Sequence, residues 1–256
     1  MHLAGTALGR AGAGHTVDVS LIGMGLIVRE RDTWVARWPS GPGRPADPAA
    51  HLRAARLEAH DHGGGPLVLW VEHVDDSLDA LARGGGLEPW RDLLQMRCPL
   101  PAPSPDVITR AFIDSDADAF LAVNNRAFHW HPEQGHMSHA DLSDRRAEPW
   151  YDPDGFRIHE RDGQVAAFCW TKIHAANPVL GDQALGEIYA IAVDPAFHGQ
   201  GLGKALTLAG LQWLSDRGLR TGMLYVEHDN TAAVRTYERI GFTVHHVDRA
   251  YHGTVA

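Results

Sequence analysis

GEIYAIAVDPAFHGQGLGKAL, residues 186–206, joins an apolar run to a cluster of glycines at the start of a helical pattern. Gly199, Gly201 and Gly203 fall within five residues. Glycine inside a helix costs about 1 kcal/mol relative to alanine, so the cluster is expected before the first full turn, where it serves the backbone. A strand ending in Val193-Asp194-Pro195 that feeds a glycine-rich turn and opens a helix makes a nest of N–H groups at the positive end of a helix dipole. Phosphate binds in such a place. The spacing is not the dinucleotide pattern, because the acidic residue expected about 20 positions on is missing. It is not a Walker loop either, since Lys204 is followed by Ala205 and no hydroxyl is placed for Mg²⁺. Read alone, the run fits a purely structural turn as well.

Outward from this stretch the pattern alternates. Leu202, Leu206, Ala209 and Trp213 recur at helical spacing up to the stop at Asp216 to Gly218. TGMLYVEH (221–228) reads as a strand, NTAAVRTYERIG (230–241) as a helix ended by Gly241, and FTVHHVDRAYH (242–252) as a last strand. Upstream, DVITRAFI (106–113) suggests a strand, followed by a helix with Ser115 as N-cap and Phe120, Leu121, Val123 and Phe128 on its apolar face. SHADLSDRRAEPWY (138–151) suggests a second helix, ended by Pro149, and FRIHERDGQVAAFCWTKIH (156–174) two strands about Asp162-Gly163. This order predicts an α/β layer structure with a mixed sheet.

An internal repeat extends the frame to the first half. LWVEHVDDSLDALARGGGLEP from Leu69 aligns without a gap on LYVEHDNTAAVRTYERIGFTV from Leu224, at an offset of 155. Leu69, Val71, Glu72, His73 and Gly86 meet the same residue types at Leu224, Val226, Glu227, His228 and Gly241. At the same offset, Gly199 to Gly203 faces Arg44 to Pro48 and Tyr237 faces Ala82, so the first half has the frame without the loop. Four prolines between Pro99 and Pro105 read as a stiff linker. The expected domains are 1–100, a linker at 101–106, and 107–256.

Composition narrows the partners. The 256 residues carry 23 basic and 32 acidic side chains, a net charge of -9, which argues against nucleic acid and for a small neutral or cationic ligand. Cys98 and Cys169 lie in apolar stretches and read as buried, reduced thiols of a cytoplasmic protein. No secretory signal or membrane span is expected. His129, His131, His136 and His139 crowd one segment, but no CxxC or HExxH frame accompanies them, so a loop rim near a substrate is expected and no metal. His228, His245 and His246 are read as structural.

AVDPAFHGQGLGKAL (192–206), followed by LYVEHDNTAAVRTYERIGF (224–242), resembles the GNAT acyl-CoA N-acetyltransferase superfamily. The loop departs from that pattern in opening with His198 where Gln or Arg is usual. Within the superfamily, LLQMRCPL, NNRAFHWHPEQG, AEPWYDPDGF, FCWTKIH, GEIYAIAVDP and VDRAY resemble the mycothiol synthase family over about residues 60 to 252. The resemblance implies tandem GNAT-like domains with one catalytic half, the first half being shortened and degenerate. It also implies acetyl transfer from acetyl-CoA to the cysteinyl amine of desacetylmycothiol, with no metal, and a monomer is expected.

In that chemistry the amine must be neutral to attack, the tetrahedral intermediate needs an oxyanion donor, and the departing thiolate needs an acid. Glu187 is the candidate base and Tyr237 the candidate acid. Ile191, Ala192 and Val193 would hold the pantetheine arm through main-chain groups. His198, Gly199, Gln200, Gly201, Leu202, Gly203 and Lys204 would take the pyrophosphate. Asn230, Thr231, Ala232, Ala233, Val234 and Arg235 would contact the coenzyme again. By the same resemblance Glu133, Lys172, Glu187 and Tyr225 contact the sugar-inositol substrate. Each residue has a plainer reading: Glu187 as a carboxylate paired with lysine, Tyr237 as a core aromatic, Lys172 as a solvated strand end. Two rival functions stay open: a GNAT enzyme for another small amine, and a non-catalytic acetyl-CoA-binding regulator.

Overall fold

The apolar run Leu185–Val193 is buried at nearly every position, as expected of a strand flanked on both edges and covered on both faces. A computed structural model describes residues 27–129, 135–176 and 183–256. It divides into two compact units.

The C-terminal unit holds Gln95–His245. Its strands are β5 (Arg110–Ala111), β6 (Phe156–Arg161), β7 (Gln164–His174), β8 (Leu185–Val193) and β9 (Thr221–Glu227), adjacent in that order. β5 to β8 are antiparallel neighbours, and β9 runs parallel to β8. A parallel pair needs a crossover, which α5 (Leu202–Asp216) supplies. Asp162 and Gly163, with φ of 51° and 72°, make the tight turn between β6 and β7.

Two helical layers cover this sheet. α3 (Ala117–Ala127) and α4 (His139–Arg146) lie on one face, where Phe120 meets Phe168 edge-on at 4.7 Å. Trp170 stacks on Phe156 at 4.3 Å, and Phe156 on Phe112 at 4.5 Å. α5 lies on the other face, and Gly210 permits the close approach: a Cβ there would come within 2.5 Å of the Cys169 sulfur and 2.8 Å of Ile188. α6 (Thr231–Ile240) presents Ala233, Thr236, Tyr237 and Ile240 inward at helical spacing and ends on Gly241 at φ 110°. The expected N-cap Ser115 is displaced: it lies inside a 3₁₀ turn, Asp114–Asp116, and Asp116 instead accepts the Ile113 N–H at 2.8 Å and binds Arg110.

The N-terminal unit contains the described residues up to Leu94 together with His246–Ala256. A hairpin of β1 (Ile27–Glu30) and β2 (Thr33–Trp38) leads through α1 (Pro48–Asp61) to β3 (Gly65–Val71), parallel to β2. α2 (Asp76–Gly84) follows, then β4 (Glu88–Pro99). The last strand, β10 (Thr243–Val255), pairs antiparallel with β3 from Arg249 on. Trp34, Trp38, Leu52, Leu67, Leu69, Leu78 and Tyr251 form the core of this unit. Shifted by 155, α1, β3 and α2 fall on α5, β9 and α6 to within about a residue at each end. The chain is thus two copies of one strand–helix–strand–helix frame.

The division differs from the expected 1–100 and 107–256. Residues 246–256 belong with the N-terminal unit because β10 completes the sheet beside β3. Residues 95–99 belong with the C-terminal unit, where the Leu100 N–H bonds the Arg220 carbonyl at 2.9 Å. Pairing, not the proline run, decides the boundary. Cys98 and Cys169 are buried free thiols, and burial pushes both up to about 12. Among the described residues no helix is long and apolar enough to cross a membrane.

Candidate functional site

β8 and β9 start side by side and then part. Their pairing runs from Gly186↔Gly222 through Glu187↔Met223 to Ile188↔Leu224 and stops there, although both strands continue. The cause lies on the other edge of β8, where Trp170 faces Ala190 while Thr171 faces Ile188, leaving Tyr189 as an extra residue. Such a bulge bends and twists its strand. Among the described residues, the edge of Ile191, Ala192 and Val193 that would face β9 therefore carries no strand, and its main-chain groups line an opening at the carboxyl ends of two parallel strands. That is where open α/β sheets take their ligands.

The glycine loop stands at the mouth of this opening. Asp194 receives the Ala196 N–H at 2.9 Å and starts a 3₁₀ turn, Pro195–Phe197. His198 holds its ring against the Val193 carbonyl, Nε2 to O 2.9 Å, so the residue that departs from the usual pattern braces the loop entry. Gly199 and Gly201 both have φ 77°, a conformation open to glycine at little cost. Gly201 is the N-cap of α5, no side chain caps that terminus, and its first turn holds no acidic residue. The first-turn amides at Leu202, Gly203 and Lys204 and the positive end of the helix dipole make a terminus that favours negative charge. Around them are basic groups: Lys204 is exposed, and Arg161 hydrogen-bonds the Gln200 amide oxygen. α6 begins beyond β9 with Asn230 as its cap, accepting from the Ala233 N–H at 3.3 Å. Thr231, Ala232 and Arg235 are exposed on its first turns, Val234 is half-buried and Ala233 is buried.

Register places the polar candidates on one face. Lys172 is directly opposite Glu187, and His174 follows two residues on along β7. Tyr225 lies two residues beyond Met223, the β9 partner of Glu187. With a period of two, Lys172, His174, Glu187 and Tyr225 share the face covered by α3 and α4. Glu187 is 2% exposed, and its Oε2 lies 2.6 Å from His174 Nε2. Its other oxygen, Oε1, is buried and accepts no hydrogen bond among the described residues. A buried carboxylate oxygen in that state calls for a donor, which a water or a substrate ammonium can supply. The Lys172 ammonium sits over the rings of Trp150 at 4.7 Å and Tyr189 at 5.6 Å, so it is not a solvated strand end. The Tyr225 hydroxyl accepts from Gln95 Nε2 at 2.7 Å, and Gln95 in turn accepts from Arg97 at 2.8 Å. Tyr237, fully buried on α6, meets Phe242 edge-on at 5.7 Å.

Glu133 lies outside the described residues, as does His131 of the histidine-rich segment. Of the described histidines there, His129 contacts the Arg126 carbonyl and His139 pairs with Asp118 at 2.9 Å. Sequence reasoning missed His174 and Gln95. A histidine at i+2 from a candidate lysine on a strand was the available signal for the first; no local signal marks Gln95, 130 positions from its partner.

The equivalent place in the N-terminal unit is closed. β2 and β3 stay paired from Trp34↔Leu67 to Trp38↔Val71, and the Glu72 N–H extends the ladder to the Trp38 carbonyl at 2.9 Å. Ser40 donates its N–H and hydroxyl to the Glu72 carboxylate, and Arg44 bonds the Glu72 carbonyl.

Residues 124–242 match the acetyltransferase (GNAT) family profile. The chain is similar to the mycothiol acetyltransferases of Streptomyces avermitilis (46% identity; 73% of this chain, 62% of the relative) and Rhodococcus erythropolis (44%; 80% and 73%). It is also similar to that of Mycolicibacterium vanbaalenii (44%; 83% and 76%). The chain thus spans less than two thirds of the length of the first of these relatives. Among solved structures, a GCN5-related N-acetyltransferase from Sphaerobacter thermophilus superposes with a TM-score of 0.68 (18% identity; 90% of this chain, 75% of that one). A tandem GNAT protein from the clavulanic acid biosynthesis pathway superposes with 0.61 (18%; 88% and 76%), which supports the tandem fold.

Proposed function

The chain belongs to the mycothiol acetyltransferase family within the GNAT acetyltransferases, and on that footing we propose that it moves the acetyl group of acetyl-CoA onto the cysteinyl amine of desacetylmycothiol, giving mycothiol and CoA. One observation supports the reading: the opening between β8 and β9 has an uncapped helix N-terminus at its mouth and, at its base, Glu187 with a buried oxygen that accepts no hydrogen bond among the described residues.

The residues fit the donor. First-turn amides of α5 and the positive-φ glycines would hold the pyrophosphate, with Lys204 and the α6 residues 230–235 beside it. The unpaired edge at Ile191 to Val193 would receive the pantetheine amides as a strand would, and a main-chain N–H there would stabilise the oxyanion. Acetyl-CoA supplies the activated carbonyl.

For the acceptor, Glu187 takes a proton from the substrate ammonium, directly or through water, and His174 at 2.6 Å orients the carboxylate. The freed amine attacks the thioester carbonyl to give a tetrahedral intermediate, the C–S bond breaks as Tyr237 gives its proton to the departing sulfur, and the second proton shed by the nitrogen returns to the Tyr237 phenolate directly or through water. Lys172, Glu187 and Tyr225 face the sugar-inositol part, with Glu133 as a further contact. The closed ladder between β2 and β3, and Ala82 where the other half has Tyr237, support a single acetyl-CoA site per chain.

Incubation with acetyl-CoA and desacetylmycothiol, beside cysteine and an aminoglycoside, followed by product mass, tests the reading. A gain of one acetyl group on desacetylmycothiol is expected. Acetylation of another amine alone would refute the acceptor, and acetyl-CoA binding with no product would refute catalysis.

A further inference from the structure

His73, His246 and Asp248 lie together within the N-terminal unit and take no part in the acetyl transfer proposed above. β3 ends at Val71, and at His73 the chain turns with φ 48°, its N–H donating to Asp248 Oδ1 at 2.9 Å. His246 and Asp248 occupy alternate positions of β10, so their side chains leave the same face. His246 Nε2 lies 3.4 Å from Asp248 Oδ1, and the imidazoles of His73 and His246 lie ring over ring, centroids 3.6 Å apart. One ligand atom from each of the three residues lies within 4.8 Å of the other two.

We propose that His73, His246 and Asp248 bind a divalent transition cation of the zinc class, which clips the turn after β3 to β10. Two imidazoles and one carboxylate are the donors zinc takes in three-ligand sites, water completing the tetrahedron. Bonds of about 2.0–2.2 Å to a tetrahedral ion put ligand atoms about 3.3 Å apart; the three ligand atoms already lie within 4.8 Å of one another, and the two stacked rings splay to point their nitrogens at one ion. The His73 N–H on Asp248 supplies the outer contact that orients a ligating carboxylate.

Among the described residues, the guanidinium that faces Asp248 is engaged elsewhere. Arg44 faces Asp248, but its guanidinium is committed to the Pro39 and Glu72 carbonyls, and the Glu72 carboxylate, which also faces Asp248, is held by Ser40. Asp248 is 4% exposed, and burial pushes its carboxyl up to about 7. A dication would give this carboxylate and both rings a common partner, and would tie together positions 175 residues apart.

The test uses the full chain stripped with chelator. Calorimetry with Zn²⁺ should show one equivalent bound, Co²⁺ should give the visible absorption of a tetrahedral site, and zinc should raise Tm. His73→Asn, chosen because asparagine tolerates positive φ, and His246→Gln should each lower affinity at least about tenfold. On the unaltered chain, zinc should protect His73 and His246 from diethyl pyrocarbonate, read by peptide mass. Absence of saturable binding, binding undiminished in both variants, or modification of the two histidines unaffected by zinc would overturn the proposal.

Discussion

Replacing Glu187 by glutamine keeps the size of a side chain that is 2% exposed and removes its charge. Oε2 is 2.6 Å from His174 Nε2, and Oε1 has no donor among the described residues, so the substitution leaves the packing intact. Losing a charge-assisted hydrogen bond costs about 1.5–3 kcal/mol at most, and a small fall in Tm is expected. Activity should fall much further. A positioned general base contributes about 10²- to 10⁴-fold, which at about 1.4 kcal/mol per decade is about 3–5 kcal/mol of barrier. The assay is steady-state formation of acetylated desacetylmycothiol by mass, with both substrates varied. kcat should drop by that factor while KM for acetyl-CoA stays within about threefold, since the donor is held by the loop and not by Glu187. The residual rate should climb with pH as solution supplies the free amine. A kcat within about threefold of the parent, in a folded variant, would refute the role of Glu187 as base.

Tyr237→Phe should lower kcat by about 10²-fold with acetyl-CoA affinity kept, checked by the same assay and by calorimetry; unchanged turnover would make Tyr237 a core aromatic only. Gly201→Ala, forcing a side chain into φ 77°, should cost about 1–2 kcal/mol at the start of α5 and raise KM for acetyl-CoA more than it lowers kcat. Calorimetry should count one acetyl-CoA per chain, and two would contradict the closed β2–β3 ladder. Asp79 receives hydrogen bonds from Arg83, Arg249 and Tyr251, which hold its carboxyl down at about 2. A depressed carboxylate stabilises the fold above its unfolded value and loses that contribution as pH falls, so acid unfolding should steepen between about pH 4 and 2. Asp79→Asn should abolish that segment of the curve.

Helix ends show how far local reading reaches. Gly241 after α6, Ser138 before α4 and the glycines before α5 act within a turn of themselves, and each appears where its residue type implies. Ser115 failed as a cap because Asp116, one residue on, gained Arg110 as a partner from β5, a contact outside the helix. The site divides the same way. Its loop and its carboxylate were legible in 186–206, but the opening that joins them was not, because it depends on a bulge at Tyr189 that only the pairing of β7 with β8 creates.

The alternation of strands and helices, the repeat at 155 and the glycine-rich turn were readable along the chain, since these follow from backbone propensities and hydrogen bonds a few residues long. Tertiary structure alone decided that β8 parts from β9 while β2 stays zipped to β3, and that residues 246–256 fold with the first half. It also decided that His174 finds Glu187, and that His73 finds His246 and Asp248. Each of these depends on which strand edges meet and in what register, and register is set by side chains far apart in the chain competing for the same buried faces.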